Sequence, residues 1–517
     1  MRIARPMYVN RGLPLVVALV AAVVATSAPA ALIVPPGFDV HVVARGFNEP
    51  VAIAFTPDGR LFVVERGGLI HIVTTDGDIL PAPFIDLSAE VETSGDRGLM
   101  NIALHPSFST TPWLYLVYAA KIPPTDPPIF GIAPTYGRLV RVLADAAQSG
   151  NVANLDSMEI LIGQSPDEGF IHCYASHLVG TIEFANDASL FVGMGDGAHF
   201  EEADAGGQDA ACFAPPLFDP VHDVGAFRAQ HLDSQAGKIL RIDPETGGGL
   251  PTNPYWTGNA ADVRSKVWAY GLRNPFHFVL QPGTGSPERL WIADVGWLEW
   301  EEIDVADGGE NFGWPCRDGP VLNADYQPLT PAHSGCDTIE TPGNPGPLTG
   351  PVAWFHHFNK ALSGPPGVIS RCILAGAFYQ GDRYPPPYRG KLFIGDHVYS
   401  WINVVDPDTL NSPGPNGALS VQPLATGAGR PVGFATHPDT GDVYYIPYQQ
   451  NRIHHIEWVS PPADIDFDAD VDLVDFARFQ SCVAAGIQPG CAAFNADADN
   501  DVDVFDFDAF RDAVGQH

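Results

Sequence analysis

The chain is poor in charge and poorest in positive charge. Asp, Glu, Lys and Arg make up 17% of 517 residues, and 27 Lys and Arg stand against 61 Asp and Glu, a net charge of −34. So negative a chain repels phosphate backbones and anionic lipid, which excludes nucleic acid and anionic membrane surfaces as partners. With 53 Gly and 49 Pro and so few charged residues, turns are frequent and long polar helices are excluded. Cysteine is sparse: seven residues, with no CxxC and no His/Cys cluster, leave no zinc motif. Long apolar runs are missing as well. The one candidate, Leu13 to Ala25, is short for a membrane span, follows Arg2, Arg5 and Arg11, and precedes the small residues Ala28-Pro29-Ala30. That order reads as an export signal over residues 1–30, and it predicts a secreted, periplasmic or cell-surface protein with no membrane span after cleavage.

Export permits disulfides. Cys316 and Cys336 flank a Pro/Gly-rich loop, and Cys482 and Cys491 lie close together, so both pairs are plausible bridges. Cys173, Cys212 and Cys372 remain, and spacing does not say which of them is odd.

What the chain has in abundance is one recurring pattern, a short apolar strand, a Pro/Asp/Gly turn and a second apolar strand. It occurs at 51–66, 99–118, 177–196, 275–296, 376–396 and 432–448. A further strand follows each unit: LIHIV (69–73), RLVRVLA (138–144), KILRID (238–243), EEIDV (301–305), WINVV (401–405) and RIHHIEW (452–458). Six such units predict an all-β fold, a six-bladed β-propeller of four-stranded blades over 32–459. The surplus length falls in loops at 121–137, 198–234 and 317–370. Long loops on a rigid β scaffold shape sites.

The third unit carries the clearest chemistry. His177 opens the first strand of SHLVGTIEFANDASLFVGMGDG and Asp196 closes the second, so an antiparallel hairpin brings both to one end. A carboxylate beside a histidine fixes its tautomer and steadies the imidazolium, which makes His177 a candidate general base. In the fourth unit GLRNPF places Arg273 and Asn274 just before a strand, a forked cation and a neutral donor suited to an oxyanion or a polarised carbonyl. Downstream, DVGWLEWEEIDV and GGENFGWP carry glycines that allow close backbone approach to a ligand or ion.

These phrases, with RGLMNIALHPSF and GKILRIDP, resemble the PQQ-dependent soluble glucose/sorbosone dehydrogenases, and the resemblance runs from Gly37 to about Trp458. It implies a six-bladed propeller binding pyrroloquinoline quinone (PQQ) and calcium at one mouth. It implies His177 as catalytic base, Asp196 as its orienting carboxylate, and Arg273 and Asn274 as the pair polarising the quinone carbonyl. It further implies calcium at the backbone carbonyls of Gly296 and Trp297, and Arg430 on the cofactor carboxylates. The substrate implied is a sugar or related alcohol. The chain departs from the family at three positions: a cofactor lysine falls on Val398, a second cofactor arginine on Val432, and the acid before the base on Ser176. His397, His437 and Arg389 are the nearby cationic candidates to compensate. The competing function is a non-catalytic secreted propeller that binds glycan or protein and has lost the cofactor; a metal-dependent lactonase is a third.

The tail, 460–517, is a separate acidic unit. Asp464, Asp466, Asp468, Asp472 and Asp475 occupy positions 1, 3, 5, 9 and 12 of one loop, and Asn495, Asp497, Asp499, Asp503 and Asp506 repeat the spacing. Oxygen ligands so spaced wrap calcium. Each loop leads into a short helix, Phe476 and Phe479 in one and Phe507 and Phe510 in the other, a small α-helical paired EF-hand-like module. The pattern resembles a dockerin type I module, with Asp at position 12 and Ala469 and Asn500 in place of the turn glycine. That resemblance implies a cohesin-like or cell-surface partner.

Overall fold

The computed structural model describes residues 31–122, 135–207, 212–214, 217–331, 335–339, 348–411, 419–459, 464, 471–483, 491, 494–495 and 501–513. The export signal over 1–30 lies outside them, and no described helix is long and apolar enough to cross a membrane.

Six antiparallel sheets form a β-propeller. Their innermost strands are Pro50–Phe55, Leu99–Leu104, Val179–Phe184, Pro275–Gln281, Ile373–Phe378 and Pro431–Thr436, each packed against the next, with the sixth returning to the first. The ring is closed by the chain's own start. Phe38–Arg45 pairs with Arg452–Trp458 and becomes the outer strand of the sixth blade, so no cut edge is left between the ends of the propeller.

Blade stacking explains why the strands read as unbroken apolar runs. Second strands such as LFVVE (61–65), LFVGM (190–194) and LFIGD (392–396) are buried at every residue, because a neighbouring blade covers each face. Every inner strand also carries a register shift where it pairs with its second strand. Bulges of this kind increase local twist, which the blades need to fan around an axis.

Uniform four-stranded blades are not what forms. In the second blade the ten-residue strand Thr135–Ala144 has an outer edge long enough for two partners, Ala153–Ile162 and Phe170–His172. Disulfides join Cys173 to Cys212, Cys316 to Cys336 and Cys482 to Cys491, leaving Cys372 free. The first of these ties the stretch before His177 to the acidic loop after Asp196. In the tail, helices Leu473–Val483 and Val504–Ala513 share a core of Phe479, Phe494, Phe510, Val471 and Val502, with Phe476 and Phe507 against it. A core this small is of the size that a disulfide usefully staples.

Candidate active site

All six inner strands start at the same mouth, so the residues just before them converge there. His177 lies two residues before the strand Val179–Phe184, in the left-handed region (φ 53), and so precedes the strand that the sequence assigns it to. A non-glycine residue in that region is strained unless its surroundings hold it. The opposite hairpin arm holds it: the His177 carbonyl accepts from the Gly197 amide at 3.2 Å, and a Cβ on Gly195 would fall 2.4 Å from that carbonyl. Glycine is therefore required at position 195.

His177 Nδ1 lies 2.8 Å from Asp196 Oδ1, and both side chains are buried. Asp196 is held from two further directions, by the Ala198 amide at 2.9 Å and by Trp314 Nε1 at 2.7 Å. With every Asp196 contact a donor, His177 carries its proton on Nδ1 and keeps the Nε2 lone pair free. Burial, with the Arg273 charge adding to it, lowers the His177 pKa, and the Asp196 carboxylate opposes both. Burial pushes the Asp196 carboxyl up, but the charges of His177 and Arg273 and the hydrogen bonds from His177 and the Ala198 amide bring it below its ordinary value. The pair is an ionised acid and a neutral imidazole, the resting state of a base.

A cavity of about 400 Å³ opens at this mouth, with His177, Asn274, Asp96, Cys372, His397 and Arg430 in its wall. The structure thus brings His177, Asn274 and Arg430 together, with Asp196 directly behind. Arg273 does not join the wall. Its Nη1 donates to the carbonyls of Val295 (2.9 Å) and Gly296 (2.7 Å), its plane lies 5.5 Å from the Trp314 ring, and its buried Nε has no partner. Gly296 is also there for closeness, since a Cβ would fall 1.7 Å from the Trp300 carbonyl. Its own carbonyl accepts from Arg273, which sets a fixed positive charge beside any cation that would use the second lone pair of that oxygen. The Trp297 amide donates to Asp318 and its indole to the Phe200 carbonyl.

Of the departures, Val432 is buried in the cavity wall, Val398 is exposed, and Ser176 is buried with an unpartnered hydroxyl. Arg389 is spent on the carbonyls of Tyr384 and Asp382, and His437 packs on Phe55 and Tyr444; only His397 stands at the cavity. Asp96 went unread in the sequence although it directly precedes RGLMNIALHPSF. It opens into the cavity within the electrostatic reach of His177 and Arg66, and burial raises its carboxyl against both.

A second feature of blade four had no sequence signal. Asp294, Glu302 and Asp304, all buried, present carboxylate oxygens within 4.8 Å of one another, the donor chemistry of a hard divalent cation. Strand pairing makes it: Asp294 faces Glu302 across neighbouring strands, and Asp304 follows two residues on, on the same face. Asp294 accepts from the amides of Arg273 and Asn274, whereas neither oxygen of Asp304 has a partner. Burial raises all three carboxyls; repulsion within the cluster adds to it at Glu302 and Asp304, and the Asp196 charge adds to it at Asp294 against the Arg273 and Asn274 amides. A carboxyl raised in the fold contributes stability below its unfolded pKa, and that contribution is lost as pH rises through the folded value. In chelator, the unfolding midpoint therefore falls between pH 5 and pH 9, and Asp304→Asn flattens the fall and raises the midpoint at pH 8 by a few degrees. Differential scanning fluorimetry checks this; an unchanged slope in the variant refutes it.

The Asp464, Asp472, Asp475, Asn495, Asp503 and Asp506 positions of the tail are described, and Asp466, Asp468, Asp497 and Asp499 lie outside the described residues. The Asp472 amide donates to Asp475 Oδ2 at 3.0 Å and the Asp503 amide to Asp506 Oδ2 at 2.8 Å, the same loop closure twice.

The Glucose / Sorbosone dehydrogenase family profile matches residues 47–414. Aldose sugar dehydrogenase YliI of Escherichia coli (strain K12) is 25% identical over 364 residues, 70% of this chain and 78% of that protein. The Hedgehog-interacting protein of Homo sapiens is 26% identical over 250 residues, 46% of this chain and 31% of that protein. The PQQ-bound aldose sugar dehydrogenase from Streptomyces coelicolor superposes with a TM-score of 0.52 at 19% identity, covering 82% of this chain and 99% of that one, a likeness of fold.

Proposed function

Because the chain belongs to the glucose/sorbosone dehydrogenase family, we propose that it is an exported PQQ-dependent oxidoreductase of a sugar or related alcohol, with His177 as the base. The observation that carries this reading is the buried His177–Asp196 pair, whose free Nε2 stands at a cavity wall. The donor set there suits an anionic quinone: the Arg430 guanidinium and the Asn274 side chain line the cavity. PQQ, when bound, supplies the two-electron acceptor. His177 Nε2 takes the substrate hydroxyl proton, Asp196 steadies the resulting imidazolium, and Trp314 and Ala198 keep Asp196 aimed. Asn274 donates into the cavity, and Arg430 places positive charge at its rim. Calcium at Gly296 and Trp297 would have to share the Gly296 carbonyl with the Arg273 guanidinium, and no step is assigned to it.

Fluorescence titration with PQQ, with and without calcium, beside dye-linked oxidation of aldoses and sugar alcohols, tests the proposal. Failure to bind PQQ favours the second reading, a non-catalytic secreted propeller binding glycan or protein. Val432 in the cavity wall and the Hedgehog-interacting relative support that alternative. A metal-dependent lactonase is less well supported, because none of Asp294, Glu302 and Asp304 lines the cavity.

The propeller spans 32–459 in this reading, and 460–517 is a dockerin-like calcium module for a cohesin-like or cell-surface partner. Calcium is the cation its twinned carboxylate loops suit. Chelation of the full chain is expected to reduce the far-ultraviolet helical signal of the two tail helices, and excess calcium to restore it. Identical circular dichroism spectra would remove calcium from the tail.

A further inference from the structure

Val432 in the cavity wall and the exposed Val398 stand where the resemblance implies two cofactor cations, yet the wall contains a pair that the family pattern does not describe. Arg430, exposed and in the left-handed region (φ 62), directs Nη2 to His397 Nε2 at 2.8 Å. His397 Nδ1 faces the Pro431 carbonyl at 3.3 Å, so Nε2 is the acceptor for Arg430 and the ring is neutral. The residue is fixed at both main chain and ring: its backbone amide donates to the Cys372 carbonyl at 2.9 Å, and the ring lies 5.2 Å from that of Tyr448, over which Arg430 also sits. The pair comes from two blades, His397 from the end of the strand Leu392–Asp396 and Arg430 from the start of Pro431–Thr436.

Resting on the quinone reading above, we propose that His397 and Arg430 together hold a carboxylate of the cofactor, His397 taking up one proton from solvent as the carboxylate docks and so replacing the missing lysine. The exposed Arg430 side chain is free to turn from Nε2 so that an oxygen enters between guanidinium and imidazole. Three charged groups bear on the site, of which only Arg430 acts directly on His397. Arg430 opposes its protonation. Asp396, one residue back, has its oxygens taken by the Ser370 hydroxyl and by the amides of Arg371, Cys372 and Tyr399. Asp96 lies in the same cavity wall. Burial, with Arg430 adding to it, holds free His397 at about 4, so it enters the encounter uncharged at neutral pH. A carboxylate in hydrogen-bond reach favours the charged form. The complex then carries one proton more than the free protein, and affinity must fall as pH rises between the free and bound pKa values, by at most about tenfold per pH unit.

Isothermal titration of full-length protein with PQQ at pH 5.5–8, in buffers of different ionisation enthalpy, reads affinity and proton uptake together. The expected result is uptake approaching one proton near pH 6 and weakening affinity at higher pH. In His397→Gln the uptake and the excess slope disappear, with affinity at pH 6 about tenfold lower. His397→Lys restores affinity without the pH dependence. Equal uptake and slope in parent and His397→Gln overturn the proposal while leaving the quinone reading intact. A parent that binds no PQQ overturns the quinone reading itself, and the proposal with it.

Discussion

His177→Ala lowers the turnover of an aldose by about 10²–10⁴-fold, the usual yield of a positioned general base, and leaves PQQ affinity near that of the parent. The two readouts separate because the imidazole meets the substrate hydroxyl at Nε2, whereas positive charge for the cofactor comes from Arg430 on another blade. Folding is also tested, since removal of the ring leaves the Asp196 carboxylate buried with the Ala198 amide and the Trp314 indole as its remaining donors. His177→Asn keeps a polar group there and controls for that. In the parent, the lowered His177 pKa puts the acid limb of the rate profile below the ordinary histidine value. The rate rises with pH through that limb as Nε2 loses its proton, and then levels. Dye-linked oxidation beside quinone fluorescence measures both quantities; full turnover in both variants would remove His177 from the chemistry.

Asp196→Asn is expected to cost about 10²–10⁴-fold, for a reason that is entirely geometric. In the serine-protease triad the same exchange costs about 10⁴-fold because the histidine takes the wrong tautomer. Here both the Ala198 amide and the Trp314 indole donate to Asp196. An asparagine that keeps its oxygen toward Trp314 turns its own N–H groups toward Ala198 and His177 Nδ1. Nδ1 then becomes an acceptor, the proton moves to Nε2, and the lone pair facing the cavity is gone. The acid limb should vanish with the activity, and PQQ affinity should hold. A variant that keeps the parent's turnover would show that Asp196 serves folding alone. Trp314→Phe, which removes one donor and leaves the tautomer, should retain most activity.

Legibility in the sequence follows how local each feature is. The His177–Asp196 pair was readable because one hairpin makes it: Gly195 and Gly197 bracket the acid, and turn residues set the register. Arg273 was readable as a residue of the mouth but not in its contacts. Its main chain sits where expected, while its guanidinium follows the carbonyls of 295–296, which belong to a turn between other strands. Asp96 comes from the second blade and His397 and Cys372 from the fifth, and nothing in their own neighbourhoods marks them as members of one cavity. The carboxylate cluster of Asp294, Glu302 and Asp304 shows the same limit, since EEIDV has the alternation of an ordinary strand until its partner strand is known.

By itself, then, the sequence determined the repeat, the blade count, the acidic tail with its doubled loop spacing, and two of the three disulfides. Each is written in short-range periodicity, turn chemistry or cysteine proximity. Only the tertiary structure decided that Phe38–Arg45 closes the ring, that the second blade carries a fifth strand, that Cys173 pairs with Cys212, and that His397 rather than His437 or Arg389 stands beside Arg430. Those outcomes depend on which distant strands become neighbours around the axis, and burial of the blade faces, rather than any local preference, selects the neighbours.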